Sequence, residues 1–106
     1  MILTTTQDIS GKKLIKTIGL VKGNTIRARN LGRDIVAALK NLVGGEIEEY
    51  TKLLAQSREQ AMDRMIAAAE EQGANAIVGI RFSTSYIMQS AAEIMVYGTA
   101  IVVQDI

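Results

Sequence analysis

Residues 46–82 read EIEEYTKLLAQSREQAMDRMIAAAEEQGANAIVGIRF, a helical pattern that runs through a glycine straight into a β pattern. Glu46, Glu48 and Glu49 place negative charge in the first turn, where free amide dipoles favour anions. Ile47, Tyr50, Leu54, Ala61, Met65 and Ala68 follow steps of three, four or seven and stack on one face. Leu53, Met62, Ile66 and Ala69 widen the stripe beyond a coiled-coil seam, which predicts a helix laid on a core. Gly73 supplies a left-handed stop, and the β-branched run Ala76 to Phe82 follows at once. At about 26 residues the helix would be roughly 40 Å long. A compact 106-residue domain is narrower than that, so part of the helix is expected to lie against something other than its own sheet.

Working outward, Ile2 to Thr6 reads as a short strand that ends near Ser10-Gly11. Lys13 to Val21 reads as a second strand, with Gly23-Asn24 as a turn and Thr25 to Arg29 as an extension beyond a bulge. Asn30 is placed to cap a short helix carrying Leu31, Ile35, Leu39 and Leu42 on one stripe, which Gly44-Gly45 ends. Past the strand to Ile87, residues 88–91 turn the chain into a last strand, Ala92 to Gln104. These elements predict one α+β domain over residues 1–106: an antiparallel sheet with one long and one short helix. The two C-terminal strands form a hairpin and Lys13 to Val21 pairs alongside.

The strand faces carry a further expectation. Val78, Ile80, Phe82 and Tyr86 alternate with Ile77 and Ile87, and Ile94, Val96 and Val102 alternate with Met95, Tyr97, Ile101 and Val103. Both faces are then apolar, whereas a half-wet sheet alternates cleanly. One helical layer covers one face, so the other is expected to be buried by another copy of the chain or by a partner, and a homo-oligomer is expected. Residues 1–40 hold eight basic and two acidic side chains, while residues 41–106 hold four basic and nine acidic. That asymmetry suits either head-to-tail contacts between copies or pairing within one chain.

Composition limits the chemistry. The chain is 48% hydrophobic and 22% charged with a formal net charge of +1, which is no basic excess for nucleic acid. It contains no His, Cys or Trp and one Phe. Imidazole and thiolate zinc sites, thiol nucleophiles and His-based triads are excluded, and base stacking finds few partners. No apolar run approaches the ~20 residues of a membrane span, and no basic-then-apolar leader opens the sequence, so a cytoplasmic protein is expected.

Several motifs together resemble a known family. They are Met1 to Thr6, the span from Tyr50 through Arg58, Ala61 and Met65 to Arg81, and Glu93 with Tyr97-Gly98-Thr99-Ala100. Over nearly the full length this chain resembles the YbjQ-like family, small bacterial and archaeal proteins labelled as heavy-metal-binding. The resemblance implies a β-α-β-β core of dodecin-like type assembled as a homopentameric ring, and it implies no particular activity or cofactor. The metal label sits badly with this composition, because soft metals prefer thiolate and imidazole. Of the five methionines, whose thioethers suit copper(I), Met62 and Met65 read as packing on the long helix, Met1 is terminal, and Met88 and Met95 stand seven apart across a turn. Glu59, Asp63, Glu70 and Glu71 read as an acidic solvated helix face rather than a magnesium or calcium site. No metal ligand set and no catalytic constellation is predicted.

Two clusters remain as candidates. Arg27, Arg29, Asn30 and Arg33 gather about the start of the short helix, where guanidinium groups and free amides make an anion site. The alternative is that they pair with Glu46, Glu48 or Glu49. Tyr50 and Arg58 share a helix face, and Arg58 with Arg81, Glu93 and Tyr97 reads as a structural polar cluster. Glu93 acts as a base only if buried. Gly19, Gly79 and Gly98, one per strand, mark places of close approach. The function expected is a ring that binds a small anionic or metal ligand at a subunit boundary, or a scaffold ring with no small ligand.

Overall fold

The computed structural model describes residues 1–27, 48–88 and 91–106. Four strands form one sheet: β1 (Ile2–Leu3), β2 (Lys12–Arg27), β3 (Ala76–Met88) and β4 (Ala91–Asp105), in the order β1-β3-β4-β2. The helix α1 (Glu48–Glu71) precedes β3. The predicted short helix lies outside the described residues. The β3–β4 hairpin and the antiparallel β2 on its far side form as predicted. The sheet as a whole is mixed, because β1 joins β3 in parallel through Ile2 N–H to Asn75 O at 3.1 Å and Thr4 N–H to Ile77 O at 3.1 Å. Pattern alone predicts a strand at residues 2–6 but not the direction from which it enters.

Helix α1 ends as its sequence requires. Gly73 is left-handed, its N–H meets Glu70 O at 3.0 Å, and the Ala74 N–H reaches back to Ala69 O at 3.0 Å. Those two bonds satisfy the last carbonyls, and Ala69 and Ala74 are both buried beneath the cap. Ser57, Ala61, Met65 and Ala69, one every four residues, form the buried line of the helix. It packs on β2 and β4 over Val21, Ile77, Ile80, Val96 and Ala100. Each large side chain there contributes about 2 kcal/mol of burial.

Two expectations are corrected. Gly23-Asn24 is not a turn: β2 runs unbroken for 16 residues, with its irregularities at Leu14/Lys16 and Thr17/Gly19 instead. Gly23 is there because α1 crosses it. A Cβ on Gly23 would stand 2.0 Å from Ala61 O and 2.5 Å from Met65 N, inside the helix backbone. Contact with a helix and participation in a turn select the same residue type, and local sequence does not separate them. The second correction concerns the helix length. The molecule is 55 Å in its longest dimension, so a helix of about 36 Å is not longer than the molecule, and its buried line begins at Ser57 among the described residues.

The parity of β3 also differs. Gly79 has φ +63, and the pairing slips between Val78 and Arg81. This bulge turns the strand over by one residue. Ile77 and Ile80 therefore share the helix face, while Ala76 and Val78 face the other side with Ile101 and Val103. Gly98 does mark a close approach, since a Cβ there would lie 2.7 Å from Ile77 Cγ2. Gly79 and Gly19 serve backbone conformation instead, with open space where a Cβ would point.

Candidate functional site

The face of the sheet away from α1 divides into two halves. Over one half the N-terminal segment folds back, bringing Ile2 and Ile9 onto Ala76, Val78, Ile101 and Val103. Gly79 N–H to Thr6 O at 2.8 Å and Ile80 N–H to Thr4 O at 3.2 Å tie this strap to β3. The chain's own first residues thus cover part of a face that the sequence assigns wholly to another copy. The other half stays open, with Leu20 70% and Ile26 56% exposed on the β2 edge.

Between strap and sheet runs a groove of about 600 Å³. Its floor is apolar, from Leu14, Val78, Ile101 and Val103, with the Thr17 and Thr99 hydroxyl-bearing side chains set among them. Gln7, Asp8 and Lys12 line the strap side. Lys12 is engaged by Asp105 in an exposed ion pair, which holds the Asp105 carboxyl below its ordinary 3.8 through the hydrogen bond and the ammonium charge. Arg81 lines the groove from β3. Its Nη1 donates to Thr5 O at 2.9 Å and Ile80 O at 2.8 Å, which fixes the guanidinium against the strap.

The sequence-predicted residues fall as follows. Arg81 and Tyr97 are cross-strand partners, and Lys22 faces Tyr97 from the other side, so an aromatic ring sits in a row between two cations. Glu93 lies two rows further along the same face, where its Oε2 accepts from Asn24 Nδ2 at 3.1 Å. Glu93 is only half-buried. Arg58 is exposed on α1, on the opposite side of the sheet from Glu93 and Tyr97, so the structure does not bring those three together. Tyr50 belongs to α1, but its side chain lies outside the described residues, as does that of Arg27, which ends β2 opposite Ala92. Arg29, Asn30 and Arg33 lie outside them altogether. The sequence reading missed Asn75, whose side chain donates to Val103 O at 2.8 Å and accepts from Val103 N–H at 2.9 Å. An asparagine just past a helix-stop glycine is the one available signal, and it marks a cap as readily as a bridge.

The family model described as "Putative heavy-metal-binding", of YbjQ-like type, matches residues 1–104. The chain belongs to the YbjQ-like family. Its relatives carry the family name UPF0145. A UPF0145 protein of the bacterium Dehalococcoides mccartyi strain 195 is 60% identical over 98% of this chain and 100% of its own length. Another, from the archaeon Halorubrum lacusprofundi, is 54% identical over 95% and 97%. A crystal structure of a DUF74-family protein of unknown function from Pediococcus pentosaceus shares the fold, with a TM-score of 0.61, 14% identity and 98% of each chain covered.

The metal in the YbjQ-like description does not fit the side chains of this member. The chain has neither Cys nor His, and no three Asp or Glu side chains gather among the described residues. Met65 is fully buried in the core and Met62 packs against it, so the thioethers there serve packing.

Proposed function

We propose that this chain is the repeating subunit of a closed homo-oligomeric ring, of five copies by the family resemblance, and that the ring binds a small anionic ligand rather than catalysing a reaction. The observation that carries the reading is a sheet with two unlike edges that no described element covers. One is β2 along its whole length, with Leu14, Ile15, Leu20 and Ile26 exposed. The other is β3 beyond its pairing with β1, where α1 hardly reaches and Phe82 and Tyr86 stand 47% and 83% exposed. Edge strands with unpaired backbone groups are templates for pairing with another chain. A contact between unlike edges is head-to-tail, and such contacts close into a ring when the rotation between successive copies returns to the first. The lysines of β2, at positions 12, 13, 16 and 22, give that edge a positive sign.

Native mass spectrometry tests this directly. The expected species is five times the 11.5 kDa subunit mass, and Leu20→Asp is expected to release subunits from it. A folded 11.5 kDa monomer at micromolar concentration overturns the ring.

A further inference from the structure

We propose that the groove beneath the N-terminal strap binds a small monocarboxylic acid with an apolar body, its carboxylate on Arg81 and its hydrocarbon on Val78 and Ile101. This names a ligand class for the binding role above and rests on that role. Lys12, Leu14 and Thr17 of the groove lining belong to β2, the strand that supplies one edge of the proposed ring.

The guanidinium carries the argument first. Nη1 is committed to Thr5 O and Ile80 O, which sets the plane of the group. Nε and Nη2 have no partner among the described residues, and adjacent guanidinium donors match the two oxygens of a carboxylate. A group fixed beforehand loses little freedom on binding. The hydroxyls of Thr17 and Thr99 line the same groove and likewise have no partner among the described residues. Each can donate to a carboxylate oxygen.

The remaining lining sets the rest of the ligand. Val78 and Ile101 lie under the strap and offer an apolar floor. The volume, about 600 Å³, falls within the range of small-molecule sites. Lys12 is occupied by Asp105, so Arg81 is the groove cation left for a ligand among the described residues. Asp8 in the strap adds a negative charge to the same groove. That carboxylate repels a second anionic charge, which selects a monocarboxylate over inorganic phosphate or a dicarboxylate.

The test uses the intact assembly with labelled isoleucine and valine methyls, titrated with 4-methylpentanoate, 4-methylpentan-1-ol and inorganic phosphate. Saturable shifts of the Ile101 and Val78 methyls are expected with the carboxylate and with neither of the others. Arg81→Gln is expected to weaken binding at least about tenfold, the loss of a charge-assisted pair. Thr99→Val, which preserves shape if the arginine variant does not fold, is expected to weaken it severalfold. No saturable shift at millimolar carboxylate, equal binding of the alcohol, or full affinity in Thr99→Val with shifts centred elsewhere overturns the proposal. Light scattering on the same samples reads the assembly separately, so loss of the ring and loss of the ligand site are distinguishable.

Discussion

Replacing Gly23 by alanine adds a single methyl group in a strand, where alanine by itself is the better residue by about 0.5–1 kcal/mol. The structure reverses that sign. The new Cβ would sit 2.0 Å from Ala61 O and 2.5 Å from Met65 N. Both obstacles are backbone atoms of α1, so no rotamer change relieves them. To restore an ordinary separation the helix must lift by more than about 1 Å, which opens the close-packed contact of Met65 with Val96 and Ile80. Overpacking costs about 1–3 kcal/mol when side chains can adjust, and a backbone obstacle belongs at or above the top of that range. A net loss of about 2–3 kcal/mol follows, or a fall of about 8–20 °C in Tm for a domain of this size. The assay is paired thermal and urea unfolding of both proteins at one fixed concentration, since an assembly couples stability to concentration. An unchanged or raised midpoint in Gly23→Ala would refute the close crossing of helix and strand, and with it the reading of Gly23 as a contact residue.

Asn75→Ala removes two bonds to the backbone of buried Val103 and is expected to cost about 1–3 kcal/mol in urea unfolding. Asn75→Asp, which keeps the acceptor and loses the donor, should fall between, and a wild-type midpoint for the alanine variant would exclude the bridge. The Asp105 pair with Lys12 predicts a small pH effect of known sign. Its carboxyl is depressed in the folded state, first by the hydrogen bond from Lys12 and then by its charge, so its contribution is present above 3.8 and disappears as the pH falls below that value. The stability difference between the wild type and Asp105→Asn should therefore vanish in acid and shrink with salt, because the pair is exposed. A difference that persists at low pH would assign the effect to something other than this pair.

Helix α1 and the strand that follows it were set by local sequence. The three- and four-residue spacing through Ala61, Met65 and Ala69, the glycine at 73 and the β-branched run after it leave one reading, because periodicity and capping act within a few residues. The hairpin partner of β3 was legible for the same reason, because the two strand patterns follow each other closely in the sequence. What tertiary structure alone decided were contacts between elements distant in sequence. Gly23 reads as a turn until α1 is laid across it. Val78 reads as a neighbour of Ile80 until the Gly79 bulge puts them on opposite faces. The strap over Ile101 and the groove it makes with Arg81 depend on residues 2–9 meeting residues 76–81, and no local rule fixes the side from which an early strand joins a late one. Side-chain spacing is a property of the chain, whereas direction of entry and close approach are properties of the packed whole.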